Sequence, residues 1–341
     1  MNPVSVNLRT PYLLFVGEEL RPTYAKTARG ILDWRRELCM GQLRLAPDAV
    51  DLGLPDHDGS SAAAAGAGSL IIGTAPVGGS IPDAWIPVLV EAASAGLDIV
   101  AGLHTRLNSI PALVEAARSS GARLVDVRVP PEELPVGSGR SRPGKRLLTV
   151  GTDCALGKKY TALQLEKDLR EAGVNTSFRA SGQTGIMIAG SGIPIDCVVA
   201  DFISGAAELL SPDNDADHWD VIEGQGGLFH PGYAAVSHGL LLGSQPDAFV
   251  VCHAAGRSHI EGWKGFALPT IGEVIERTEL IGRLTNPDIR CVGISINTQD
   301  MDERERWGYL QSLADKYGLP CVDPLRDGTG AIVRELLSTE D

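Results

Sequence analysis

Between residues 69 and 130 short apolar runs alternate with longer stretches whose apolar positions recur at helical spacing. The runs at 70–72, 99–101 and 124–127, with an earlier one at 12–16, predict strands, and the stretches 84–95 and 110–120 predict helices. A β-α-β-α-β order of this kind forms a parallel sheet through right-handed crossovers, with ligand sites at the carboxyl ends of the strands. The turns at those ends read GTAPVGG (73–79) and GLHTRLNS (102–109), and either is a candidate site. A second series follows. The apolar run 147–150 enters a glycine-bounded loop, and a helix starts near Lys158 with apolar positions Ala162, Leu165 and Leu169. Further strands are predicted at 176–179, 197–200, 220–222, 248–252 and 291–296, and helices at 234–242, 271–284 and 304–316. The pattern therefore predicts an α/β protein with a second doubly wound sheet.

Length agrees, since 341 residues allow two cores. Between them, PPEELPVGSGRSRPG (130–144) is too rich in proline, glycine and serine for a helix or central strand. The expected division is thus 1–130, a linker at 131–144, and 145–341. Arg140, Arg142, Lys145 and Arg146 follow one another there without an acidic residue, which reads as a positive cluster on a solvated, flexible segment. The net charge of −13 argues against nucleic acid or an anionic membrane as partner, so an anionic small molecule needs local positive sites. No run of 18 apolar residues occurs and the N-terminus lacks the charged-then-apolar order of a secretory signal, so a cytoplasmic location is expected. Six scattered cysteines with no C-x-x-C pair indicate neither a zinc site nor a disulfide framework, and no metal is expected.

The chemistry concentrates in VGTDCALGKKYT (150–161), which is close to the phosphate-loop pattern G-x-x-x-x-G-K-[ST]. Thr152, Asp153, Cys154, Ala155, Leu156, Gly157, Lys158 and Lys159 are the candidate anion-binding residues. Backbone N–H groups at a helix start make an anion site, and Lys158 can reach a bridging phosphate oxygen. Lys159 stands where the pattern has the hydroxyl that holds Mg²⁺, and an ammonium has no lone pair to offer a metal. Either it faces inward and lysine charge replaces the loop-bound metal, or it faces solvent and Thr161 or an aspartate takes the metal. The first arrangement suits a ligand gripped by its phosphates but reacting elsewhere, of which coenzyme A is one. Cys154 reads as a loop-packing residue.

In DVIEGQGGLFHPGY (220–233), Glu223 ends an apolar strand beside glycines, where it could orient a metal, a water or an attacking amine. Glu223 is the first candidate for a base, and His230, seven residues on, is its competitor. FRASGQTG (178–185) offers Arg179, Ser181, Gln183 and Thr184 for a substrate carboxylate, or for a turn. CHAAGRSHIEG (252–262) supplies His253, Arg257 and His259; the histidine spacing is not that of a zinc site, and Arg257 is the better candidate for a carboxylate.

GTDCALGKK resembles the loop of dethiobiotin synthetases, and VIEGQGG is similar to their EGAGG element. With GTAPVGG, GLHTRL, SGQTG, EGQGGLFHPGY and INTQD, the chain over roughly 10–335 resembles a two-domain family long catalogued as a domain of unknown function. The resemblance implies an N-terminal Rossmann-like parallel-sheet domain followed by a P-loop NTPase-like domain. That family includes D-glutamate N-acetyltransferases of the DgcN type. It implies acetyl-CoA as cosubstrate, a small amino-acid substrate, and an enolase-superfamily epimerase acting on N-acetyl amino acids as pathway partner. A homo-oligomer is also expected. Lys159 departs from the synthetases, which keep a threonine there, and this favours a transferase. The alternatives are an ATP-dependent kinase or ligase of the dethiobiotin synthetase type and a non-catalytic nucleotide-binding regulator.

Overall fold

The apolar runs become the strands of two parallel sheets in the computed structural model, which describes residues 4–74 and 79–338. The chain divides into two compact units, one of Ser5–Val129 with Gln183–Pro194, the other of Met1–Val4, Pro130–Gly182 and Ile195–Asp341.

In the first unit, β1 (Tyr12–Gly17), β2 (Cys39–Arg44), β3 (Ser69–Ile72), β4 (Asp98–Ala101) and β5 (Leu124–Asp126) lie in the order β2-β1-β3-β4-β5. Every pairing is parallel. The crossovers carry α1 (Lys26–Trp34), α2 (Gly59–Ala64), α3 (Ile86–Ser94) and α4 (Pro111–Ser120). Strands of such a sheet are covered on both faces, which is why they read as unbroken apolar runs. Leu13, Phe15, Leu70, Ile72, Ile99 and Leu89 form the core between sheet and helices. Helix α4 begins on Pro111 and ends at Gly121 (φ 79°), so its bounds are written in the sequence. Strand β2, CMGQLR, escaped prediction because its glycine, glutamine and arginine break the apolar run. Of the GTAPVGG turn, residues 75–78 lie outside the described residues.

The second unit holds β6 (Lys145–Gly151), β7 (Thr176–Arg179), β8 (Trp219–Ile222), β9 (Ala248–Ala254), β10 (Arg290–Asn297) and β11 (Cys321–Val322) in the order β11-β10-β9-β6-β8-β7. All are parallel. Leu147, Val221, Val250 and Val292 pack under Leu165 and Leu169 of α5 (Lys158–Glu171) and Ile332 of α11 (Gly330–Leu337). Chain order places α6 (Gln183–Ala189), α7 (Ile203–Leu210), α8 (Ala234–Ser244), α9 (Ile271–Gly282) and α10 (Glu303–Tyr317) between these two helices. The first of them, α6, belongs to the other unit, where it packs on α1 and Arg35 donates to the Ile188 carbonyl at 3.1 Å.

Two expectations need correction. Residues 197–200 form no strand: 3₁₀ turns at Ile195–Cys197 and Ala200–Phe202 lead into α7, and Val199 is 67% exposed. The β-branched pair suggested a strand, but the six-stranded sheet places β8 beside β7 and leaves this run outside. The arginines of 140–146 are not a free positive cluster either. Arg142 is buried and donates to the carbonyls of Ser211 and Gly243, while Arg146 donates to those of Arg142, Pro143 and Pro212. Ser138 and Gly139 are held by Glu208 at 2.8 and 2.9 Å, so the segment is docked rather than loose. Burial pushes Arg142 down to about 10. Among the described residues no helix is long and apolar enough to cross a membrane.

Candidate active site

The site lies at the carboxyl ends of β6 and β8, which are neighbours in the second sheet. After Gly151 the chain turns through Ala155 at φ 52° and Gly157 at φ 102°, left-handed geometry that aims successive N–H groups to one side. Gly157 is the N-cap of α5 and no side chain caps that helix, whose first-turn N–H groups are therefore directed at the hollow of the loop. A Cβ on Gly157 would meet nothing within 4 Å, so the space over it is open.

Lys158 is buried and donates at 2.7 Å both to the Asp153 carbonyl and to the Gly226 carbonyl. Its ammonium thus stitches the loop to the turn after β8, and burial pulls its pKa down. Glycines allow that approach: a Cβ on Gly224 would fall 1.6 Å from the Thr149 carbonyl, and Gly224 N–H donates to the Thr149 hydroxyl at 2.9 Å. Gly224 is thus a packing requirement set by β6, while Gly226, at φ 55°, is crowded by the Tyr233 carbonyl and the Ser237 hydroxyl.

Glu223 leads this turn and is buried. Its Oε2 accepts from the N–H groups of Ser181 and Gly182 at 3.1 and 3.0 Å, and its carbonyl accepts from the Ser181 hydroxyl at 2.5 Å. Burial raises the carboxyl; the positive charge of Lys159 and the two N–H groups oppose it, and the result is about 7. A carboxyl poised there can take a proton at neutral pH. Lys159, half-buried beside the Tyr160 ring, therefore has a definite effect, which is to favour the charged form of Glu223. Gln225, which no motif in the sequence singled out, donates to the Ser181 hydroxyl at 2.9 Å, and a Cβ at 182 would fall 2.7 Å from its amide nitrogen.

His230 is the other base candidate, and its surroundings differ. Gly232 N–H donates to Nδ1 at 3.1 Å, so the neutral ring carries its proton on Nε2. That nitrogen is buried without a hydrogen-bond partner, 3.8 Å from Asp153 Oδ1. The ring stacks on Tyr233 (centroids 4.4 Å apart) and meets Trp263 edge-on at 4.7 Å. Burial and nearby Lys158 lower its pKa against the pull of Asp153. Trp263 comes from an antiparallel hairpin, His259–Ile260 with Trp263–Ala267, that no sequence signal announced.

Asp153 is the anchor of the loop. Its Oδ1 accepts from Cys154 N–H at 2.7 Å, and its Oδ2 from Glu261 N–H at 2.7 Å and Arg257 at 3.1 Å. Arg257 also donates to the carbonyls of Cys154 and Ala155, so its guanidinium clamps the loop from outside. Thr152 is buried against His253 Nδ1 at 3.0 Å, and Leu156 is buried. The Cys154 thiol is raised, by burial and then by Asp153, which disfavours a thiolate. Arg179 donates to Asp220 at 2.7 Å on the neighbouring strand. Gln183 and Thr184 lie in the other unit, where Gln183 packs against Gly102 and the Thr184 hydroxyl is 3.1 Å from that of Thr27. His259 is exposed beside Ser258.

As a metal site the surroundings of the loop are poor. Thr161 turns its hydroxyl into the sheet, 2.8 Å from Ser295. Asp153, Cys154 and His230 bring ligand atoms within 4.8 Å of one another, but the histidine nitrogen involved carries the proton and the thiol is raised.

A parallel sheet whose first strand opens into an uncapped, glycine-bounded anion loop, with a strand-end carboxylate turn beside it, defines an α/β protein of the phosphate-loop class. Residues 135–333 match the "domain of unknown function (DUF1611_C) P-loop domain", and residues 43–130 match the DUF1611_N Rossmann-like domain. The chain belongs to the DUF1611 family. It is 46% identical over 331 residues to a D-glutamate N-acetyltransferase of Pseudoalteromonas sp., covering 97% of this chain and 100% of that one. A D-glutamate N-acetyltransferase of Tritonibacter scottomollicae is 45% identical, covering 96% and 99%. The crystal structure of a DUF1611 family protein from Anabaena variabilis superposes with a TM-score of 0.88 at 32% identity, covering 97% of this chain and 100% of that one.

Proposed function

We propose that the chain transfers an acetyl group from acetyl-CoA to the amino group of D-glutamate. The class of reaction follows from relatives 46% and 45% identical to it along nearly their whole length. The observation that carries the mechanism is Glu223, a buried carboxyl lifted to about 7 beside the anion loop. The loop 152–159 holds the phosphates of the coenzyme through its N–H groups and Lys158. The substrate ammonium gives one proton to Glu223, the amine nitrogen bonds to the thioester carbonyl carbon, and the C–S bond breaks while the nitrogen's second proton passes to the departing sulfur, which leaves as the coenzyme thiol; Glu223 then returns its proton to water. Donors near the carbonyl oxygen stabilise the charge that develops on it. No step requires a metal.

A cytoplasmic location suits six cysteines of which none forms a disulfide. An epimerase acting on N-acetyl amino acids as pathway partner and a homo-oligomeric state complete the proposal. The test is incubation with acetyl-CoA and D- or L-glutamate while free thiol is followed, with calorimetry against coenzyme A and Mg-ATP. Thiol release dependent on D-glutamate supports the reading. Tight Mg-ATP binding without thiol release would replace it with the ligase alternative.

A further inference from the structure

We propose that His230 is a positioning residue that donates its Nε2–H to Asp153 when the loop closes on its anion, and that it does not act as the base. The tautomer follows from Gly232: a backbone N–H can only donate, so Nδ1 must present its lone pair and the ring proton sits on Nε2. The ring's one lone pair is therefore already used. Nor can the ring turn over, since Tyr233 and Trp263 pack its face and edge and its side chain is fully buried.

That leaves a buried donor without an acceptor, a state proteins avoid. Asp153 Oδ1 is 3.8 Å away, about 1 Å beyond a hydrogen bond. The Asp153 carboxylate is held by Cys154 N–H on Oδ1 and by Glu261 N–H and Arg257 on Oδ2, while its main-chain carbonyl accepts from Lys158, whose ammonium is the group the anion must recruit. When Lys158 turns to the anion it releases the Asp153 main-chain carbonyl, so the loop backbone can move and bring Oδ1, which has a second lone pair beside the one taken by Cys154 N–H, toward Nε2–H. The loop thus exchanges one internal hydrogen bond for another as the ligand arrives. The proposal rests on the acetyltransferase reading only in naming coenzyme A as the anion.

The experiment is a long-range ¹H–¹⁵N spectrum of the full chain labelled at histidine, from about pH 6 to about pH 9. The His230 signals are identified by their loss in His230→Phe. Nε2 is expected to stay protonated and Nδ1 bare across the range. Saturating coenzyme A should move the Nε2 proton downfield and slow its exchange with water. His230→Phe keeps the ring packing and should bind coenzyme A about 3- to 10-fold more weakly. It should also leave the acid limb of kcat/KM where the wild type has it. A proton on Nδ1, a His230 signal indifferent to saturating ligand, or an acid limb abolished in His230→Phe would overturn the proposal. Inorganic pyrophosphate is titrated in parallel. If it binds and shifts His230 while coenzyme A does not bind, the acetyltransferase reading fails and the latch stands; if neither binds, both fall.

Discussion

Asp153 and Glu223 are buried carboxylates that follow neighbouring strands of one sheet, and their hydrogen-bond surroundings differ. Asp153 has two backbone N–H groups and a guanidinium divided over both oxygens. Glu223 has two N–H groups on a single oxygen, and the charge that favours its ionised form comes from Lys159. A carboxylate bound from several sides by full donors organises backbone. One that is desolvated and only partly compensated exchanges protons near neutrality.

The comparison breaks most visibly under substitution. Glu223→Gln keeps an acceptor for Ser181 and Gly182 but removes the base, so kcat should fall about 10²–10⁴-fold. Its stability should change in the other direction. With a folded value of about 7 against an ordinary 4.5, Glu223 contributes stability that is present below pH 4.5 and lost as the pH rises through 7. At pH values above 7 the glutamine variant should therefore melt higher, by up to roughly 3 kcal/mol of unfolding free energy. Asp153→Asn should do the reverse, losing about 3–5 kcal/mol because Arg257 is left beside a neutral amide. Calorimetric melting of both variants side by side decides whether the two carboxylates differ as described. Next in size is the pH dependence of the wild type: kcat/KM should fall about tenfold per pH unit below an apparent value near 7, as Glu223 takes up its proton. A flat profile to pH 5 would remove Glu223 from the mechanism. Smallest is Arg257→Lys, which keeps the charge on Asp153 but not the contacts to both loop carbonyls, and should weaken coenzyme A binding about 3- to 10-fold by titration.

Much of the fold was legible because both sheets are parallel and covered on each face, so their central strands appear as apolar runs. The loop, its lysines and Glu223 were legible for another reason: they follow strands directly, and the spacing is fixed by the turn. The failures share a cause. Run 197–200 has strand-like residues but no neighbour to pair with. Lys158 and Arg142 look alike in a list of cations, yet one lies between the anion loop and a glycine turn while the other fills a hole lined by carbonyls. Charge in a sequence carries no sign of which acceptors will surround it. Trp263 and Gln225 gave no signal for the same reason, since each matters through a partner far away in the chain.

The sequence by itself determined most strands of the two sheets, the glycine-bounded loop and the candidates for binding or moving a proton, because backbone geometry and periodicity act over a few neighbours. Tertiary structure alone decided the surroundings of those candidates. It gave His230 a fixed tautomer through Gly232, bound Asp153 to a distant arginine, and desolvated Glu223. Proton affinity and hydrogen-bond role are set by burial and by the donors brought alongside, and those come from segments the local sequence does not contain.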